Sequence, residues 1–216
     1  LAVPPNKGRK LPPELLTTDD VRALLAACST TAPTGVRNRA LLVALYRAGL
    51  RLDEALTLTP ADVDLGGGVI RVGPPRGMGG VPPPMVTGAA RGRGHQRIAG
   101  IDSAGLAVIG EWLDVRAGLG LASDAPLFCT LSGGPLHPAY VRQLLPRLAE
   151  KAGIGKRVHA QGLRHTHAAE LAAEGLPAEV IQAQLGHGSL ASTDRYLRRI
   201  PPKDRIGALH RREWSP

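Results

Sequence analysis

Cysteine is scarce in this chain: 216 residues hold only Cys28 and Cys129. The two lie far apart, show no metal-ligand spacing and each follow an apolar residue. They read as buried free thiols in a reducing, cytoplasmic compartment. No apolar run approaches the ~20 residues that a bilayer-crossing helix needs, which excludes a helical span and a membrane partner. The first residues offer neither Met nor an apolar signal core, so they read as a cut inside a longer protein rather than a targeting segment. Lysine is the other shortage. There are five, none between Lys10 and Lys151, and arginine supplies the rest of the 27 basic residues. Against 18 acidic residues these leave a net charge of +9, which points to a polyanionic partner more than to any fold. Arginine is the better fork for phosphate oxygens. A high-GC genome would also write Arg for Lys, and the abundance of Ala, Gly and Pro fits that reading as well.

Along the chain, residues 1–16 are Pro-rich, basic and aperiodic, and read as a linker from a missing N-terminal domain. Thr17 caps a first helix, with Asp20 placed for a capping box. Helices are expected over about 34–47, stopped by Gly49, and over 53–58, ended by Pro60. Gly66–Gly68 turn the chain into a strand at 69–72. The Gly- and Pro-rich segment 73–94 reads as a long exposed hairpin loop, and 95–101 as the returning strand. Further helices are expected at 103–117, with Leu106, Ile109 and Leu113 inward, and at 138–152, where Val141, Leu144, Leu145 and Leu148 make one stripe. Two more run over 162–174 and 177–185, and a short one from about Leu190 carries Tyr196. The fold class is α+β, mainly α: one helical domain over 17–199 with a small antiparallel β-sheet, then a tail, 200–216.

Chemistry concentrates in the last third. Arg164 falls near a helix start, where backbone N–H groups and the dipole favour an anion. His187 follows the glycine that ends the next helix and so projects from a turn. Tyr196 stands between Arg195 and Arg198, a basic setting for a phenol that could attack phosphorus and form a covalent intermediate. Phosphoryl transfer asks mainly for positioning and charge stabilisation, and Arg and His are the residue types that supply them. Upstream, Arg51 sits at the tip between two helices, with Glu54 near enough to brace its guanidinium for bidentate phosphate contact. Each residue alone also has a plain structural reading: a packed tyrosine, a solvated or ion-paired arginine, a turn histidine, a helix-capping Arg51–Glu54 pair. His165 and His167 point to different faces of a helix and complete no metal set. His159, before the helix, is expected to reach from another direction.

Taken together, Gly49-Leu50-Arg51, Glu54-Ala55, Leu163-Arg164-His165-Thr166, Leu185-Gly186-His187 and Tyr196 resemble the tyrosine recombinase (phage integrase) family in order and separation, from Thr17 to about residue 200. The resemblance implies that Arg51 and Arg164 clamp the scissile phosphate of double-stranded DNA, that His187 supports the same centre, and that Tyr196 forms a 3′-phosphotyrosyl link. It implies neither metal nor other cofactor, an N-terminal DNA-binding domain, and a homotetramer on paired sites when full length. Two positions depart from the family pattern. Its His-x-x-Arg reads Gln161-Gly162-Leu163-Arg164, and Gln cannot take up a proton near neutral pH. The hairpin lysine has no counterpart, and Arg93 is the best-aligned substitute, with Arg91 beside it; Arg91, Arg93, Arg195 and Arg198 are the expected DNA contacts. An arginine, with a pKa above about 12, stabilises charge but donates a proton poorly. The expectation is a site-specific recombinase or integrase catalytic domain, slow if these departures limit it. The alternatives are a DNA-binding recombinase relic and a type IB topoisomerase-like enzyme.

Overall fold

The computed structural model of the chain describes residues 14–73 and 97–187. The linker before Glu14, residues 74–96 with Arg91 and Arg93, and everything after His187, including Arg195, Tyr196, Arg198 and the tail, lie outside the described residues.

Helix α1 (Thr18–Ala26) starts where expected: the Thr17 hydroxyl accepts from the Asp20 N–H, and the Asp20 carboxylate accepts from the Thr17 N–H at 2.8 Å. Helix α2 (Pro33–Arg47) opens on a proline, whose fixed φ suits a first turn. From Val36 to Tyr46 it is buried on nearly every face, as befits a helix enclosed by others, and it packs against both α4 (Ser103–Gly118) and α6 (Ala160–Ala173). Its two buried polar side chains are matched: Arg37 donates to the Cys129 carbonyl and the Tyr140 hydroxyl, and Asn38 donates to that same hydroxyl. Helix α3 (Leu52–Thr57) and a 3₁₀ turn (Pro60–Asp62) lead into the sheet.

The sheet is antiparallel, in the order β1 (Val63–Asp64), β2 (Val69–Val72), β3 (Arg97–Gly100), with Ile70 opposite both Val63 and Ala99. Ile70, Val72 and Ala99 face the core while Arg71 and Ile98 face out, the alternation a half-buried sheet requires. Strand β1 was not expected. Two residues are too few to show a period, and only pairing with β2 defines it.

In α4 the expected inward stripe packs against the core, and the buried face is wider than expected. Ile109 is buried, but Leu106 and Leu113 lie only at the core's edge, and Trp112 and Arg116 occupy the interior. Both are accommodated through carbonyls of the following loop: Trp112 donates to Leu127, and Arg116 donates to Ala122 and Ala125. Helix α5 (Pro138–Lys151) buries Val141, Leu145 and Leu148, with Leu144 at the margin and Pro146 within the helix. Helix α7 (Ala178–Leu185) ends on Gly186, whose φ of 62° closes it in the left-handed region. The packed domain reaches back past Thr17. Leu16, read as linker, is buried in the main core, and its N–H donates to the Thr166 hydroxyl of α6.

Candidate active site

The site is assembled from two chain reversals and one helix. Gly49, at φ 61°, lets the chain leave α2 sharply, and a Cβ there would stand 2.6 Å from the His167 ring. That reversal sets Arg51 at the N-cap of α3, half exposed. The Glu54 carboxylate accepts from the Arg51 backbone N–H at 2.8 Å and from its guanidinium at 2.9 Å, so the expected brace is present.

Arg164 differs from expectation. Helix α6 begins at Ala160, so Arg164 lies in the second turn rather than at the helix start. It is also not solvated, being only 4% exposed. One terminal nitrogen donates to the Gly49 carbonyl at 2.6 Å and the other to the Leu185 carbonyl. These bonds tie the end of α2 to the end of α7.

The second reversal is Gly186. It delivers His187 from a turn, as expected, and Gln182 pins the residue from both sides: the His187 N–H donates to the Gln182 carbonyl, and the Gln182 side-chain amide donates to the His187 carbonyl. Burial first, then the positive charges of Arg164, Arg51 and Arg97, pull the His187 imidazole down to about 4, so it is neutral at pH 7.

Arg51, Gln161, Arg164 and His187 line one hollow of about 500 Å³, together with Arg142, Arg157, His159 and Asp53. Four arginines face a single carboxylate there, which favours a bound anion. The last carbonyls of α7 act as anchors around it. Gln184 accepts from Arg97 at 2.6 Å, Leu185 from Arg164, and Gly186 from Arg51 at 3.2 Å. Helix C-termini leave such carbonyls without internal partners, and the dipole there favours cations. The Glu54 carboxylate completes the set: Arg97 donates to it at 2.6 Å, and Arg164 lies 3.8 Å away.

Sequence reasoning missed Arg97, Arg142 and Arg157, whose only signal was basic charge on three separate elements. It also misplaced His159. That residue borders the same hollow rather than reaching elsewhere, because it is the N-cap of α6 and Gln161 follows two positions later. Among the described residues no three His, Cys, Asp or Glu side chains gather as a metal site, and no helix is long and apolar enough to cross a membrane. Cys28 and Cys129 are buried and free.

The geometry has counterparts. The model of the Phage integrase family matches residues 14–201. The tyrosine recombinase XerC of Xanthomonas axonopodis pv. citri (strain 306) is 32% identical over 192 residues, covering 89% of this chain. The chain spans 56% of that relative's length. Among solved structures, XerA recombinase superposes with a TM-score of 0.74 at 26% identity, covering 99% of this chain and 71% of XerA. The XerH site-specific recombinase, crystallised bound to a palindromic difH substrate as a post-cleavage complex, shares the fold, with a TM-score of 0.68 at 24% identity over 91% of this chain and 52% of XerH. With the Arg51, Arg164 and His187 segments falling inside the matched span, and the mainly helical α+β architecture shared with these recombinases, the chain belongs to the Phage integrase family of tyrosine recombinases.

Proposed function

We propose that this chain is the strand-cleaving domain of a site-specific recombinase acting on double-stranded DNA in the cytoplasm, as part of a longer protein that assembles as a tetramer on paired sites. The observation that carries this reading is the basic hollow that Arg51, Arg164 and His187 share. In it the two guanidiniums hold the non-bridging oxygens of the scissile phosphate, and His187 assists the same centre. The Tyr196 hydroxyl attacks phosphorus, the 3′-phosphate becomes bonded to tyrosine, and the 5′-oxygen leaves with a proton. A 5′-hydroxyl from a second strand then reverses the step. The bond energy is kept in the phosphotyrosyl link, so the reaction asks for no nucleotide and no metal. Arg93 neutralises charge on the leaving oxygen, and Arg91, Arg195 and Arg198 contact the DNA backbone. XerH, the neighbour bound to a difH substrate, supports the choice of DNA as partner.

The test is a nicked suicide duplex, its sequence first selected from a random pool by retention on the protein. The expected result is a covalent protein–DNA adduct that disappears in Tyr196→Phe. Arg93→Lys should raise the rate of its formation by about 10² if proton donation to the leaving oxygen is limiting. Specific retention with no adduct would instead support the second reading, a binding domain without cleavage, which the Gln161 and Arg93 departures favour.

A further inference from the structure

His159 stands two residues before the position where a proton-handling histidine was expected, and it borders the hollow that holds Arg51, Gln161, Arg164 and His187. Its Nδ1 accepts the Gly162 backbone N–H at 2.9 Å and so caps α6. The ring lies against Gly162, with Cε1, Nδ1 and Nε2 3.4–3.6 Å from where a Cβ would be, so local backbone helps to hold its position.

Capping accounts for the Nδ1 edge, as it does for His137 at the start of α5, but not for the rest of the ring. Ser, Thr, Asp and Asn cap helices best, and a histidine there spends a large ring on a task that a hydroxyl performs. What the ring adds is its far edge. With Nδ1 engaged as an acceptor, the neutral imidazole must carry its proton on Nε2, because only one ring nitrogen of a neutral histidine bears hydrogen. Burial, and then the Arg157 charge, lower its pKa against an opposing contribution from Glu14, so the neutral form prevails at pH 7. With Nδ1 given to the helix's own backbone, the Nε2–H is the donor that His159, a lining residue of the hollow, has to offer. Around the hollow the positive end of α6 and the arginines already select for an anion.

We propose that His159 is a catalytic residue of this site, donating its Nε2–H to an oxygen of the scissile phosphate where Gln161 offers only an amide. The inference builds on the strand-cleavage reading above and adds a residue to it. The donated hydrogen bond strengthens as negative charge grows on the phosphate oxygens, and no proton is transferred.

Single-turnover adduct formation on the suicide duplex tests the proposal. His159→Asn keeps a good cap but removes the imidazole edge. It should slow cleavage about tenfold or more while the thermal midpoint stays in place. Adding Gln161→His to that variant should return most of the lost rate, because it puts an imidazole back beside the phosphate. Wild-type speed in His159→Asn would overturn the proposal. So would a slow variant that has lost thermal stability and gains nothing from Gln161→His, since that pattern belongs to a cap alone. A second measurement does not depend on cleavage. In an imidazole ¹⁵N spectrum of the whole chain, His159 should show the proton on Nε2, and that signal should move as inorganic phosphate is added. If phosphate moves Arg51 and Arg164 signals but leaves His159 still, this proposal fails and the functional reading stands. If phosphate moves none of them, both fall.

Discussion

Glu54 accepts hydrogen bonds from two guanidiniums and lies 3.8 Å from a third, and it does so with little solvent around it. A carboxylate so placed lets Arg51, Arg97 and Arg164 crowd together without mutual repulsion. Glu54→Gln keeps the shape and removes the charge. It should cost about 2–3 kcal/mol of stability, read as a fall in thermal midpoint, and slow adduct formation at least tenfold. Glu54→Asp should recover part of both. The Arg51–Glu54 partnership was legible in the sequence because it is local: three positions apart across a helix start, the two must meet. Arg97 was not legible. Its partners, Glu54 and the Gln184 carbonyl, are distant in sequence, and nothing local to Arg97 names either. His159 failed for a related reason. Its direction depends on a cap that only the true start of α6 reveals.

Helix α7 contributes less through its side chains than through its end. Three successive carbonyls receive arginines from β3, from α6 and from the turn after α2, and the next residue is His187. Gly186→Ala attacks that junction at two points. Its φ of 62° disfavours any Cβ, and the added atom would lie 2.4 Å from the Arg97 side chain. The variant should lose about 1–3 kcal/mol in chemical denaturation and cleave more slowly, since Arg97 and His187 are both displaced. Element order was mostly readable. Helices α2 and α5 and strand β2 declare themselves by period, a proline at the start or a glycine at the stop. Strand β1 has no period to read, and the inner face of α4 was read only in part because Arg116 is charged yet buried, its donors satisfied by carbonyls from the loop that follows.

At the scale of the whole molecule, acid should loosen the fold through His167. This ring is 4% exposed, wedged beside Gly49 and Leu185, and neither nitrogen has a hydrogen-bond partner. Burial, followed by the Arg47 and Arg164 charges, lowers its pKa from 6.5 to about 4, with Asp102 opposing. The unfolded chain therefore takes up a proton below 6.5 that the folded chain refuses until about 4. Stability from this group is complete above 6.5 and falls as pH drops through that window, by up to about 1.4 kcal/mol per unit. His187 adds in the same direction, while Glu170, raised by burial, works against it. Denaturation midpoints of wild type and His167→Phe between pH 7 and 4 check this: the difference between the two should shrink or reverse as pH falls, and parallel curves would refute it. Fold class and family were legible at this scale because motif order survives without coordinates. The meeting of Arg51, Arg164 and His187 was expected from the resemblance, but the anchoring of both guanidiniums on the last carbonyls of α7 was not, since it depends on the packing of α2 against α6. Because one carboxylate and one helix terminus hold all three guanidiniums, these arginines form a single thermodynamic unit. Replacing one re-tunes the other two, so a lysine introduced at Arg51, Arg97 or Arg164 has no fixed cost of its own, and paired replacements will depart from the sum of their parts.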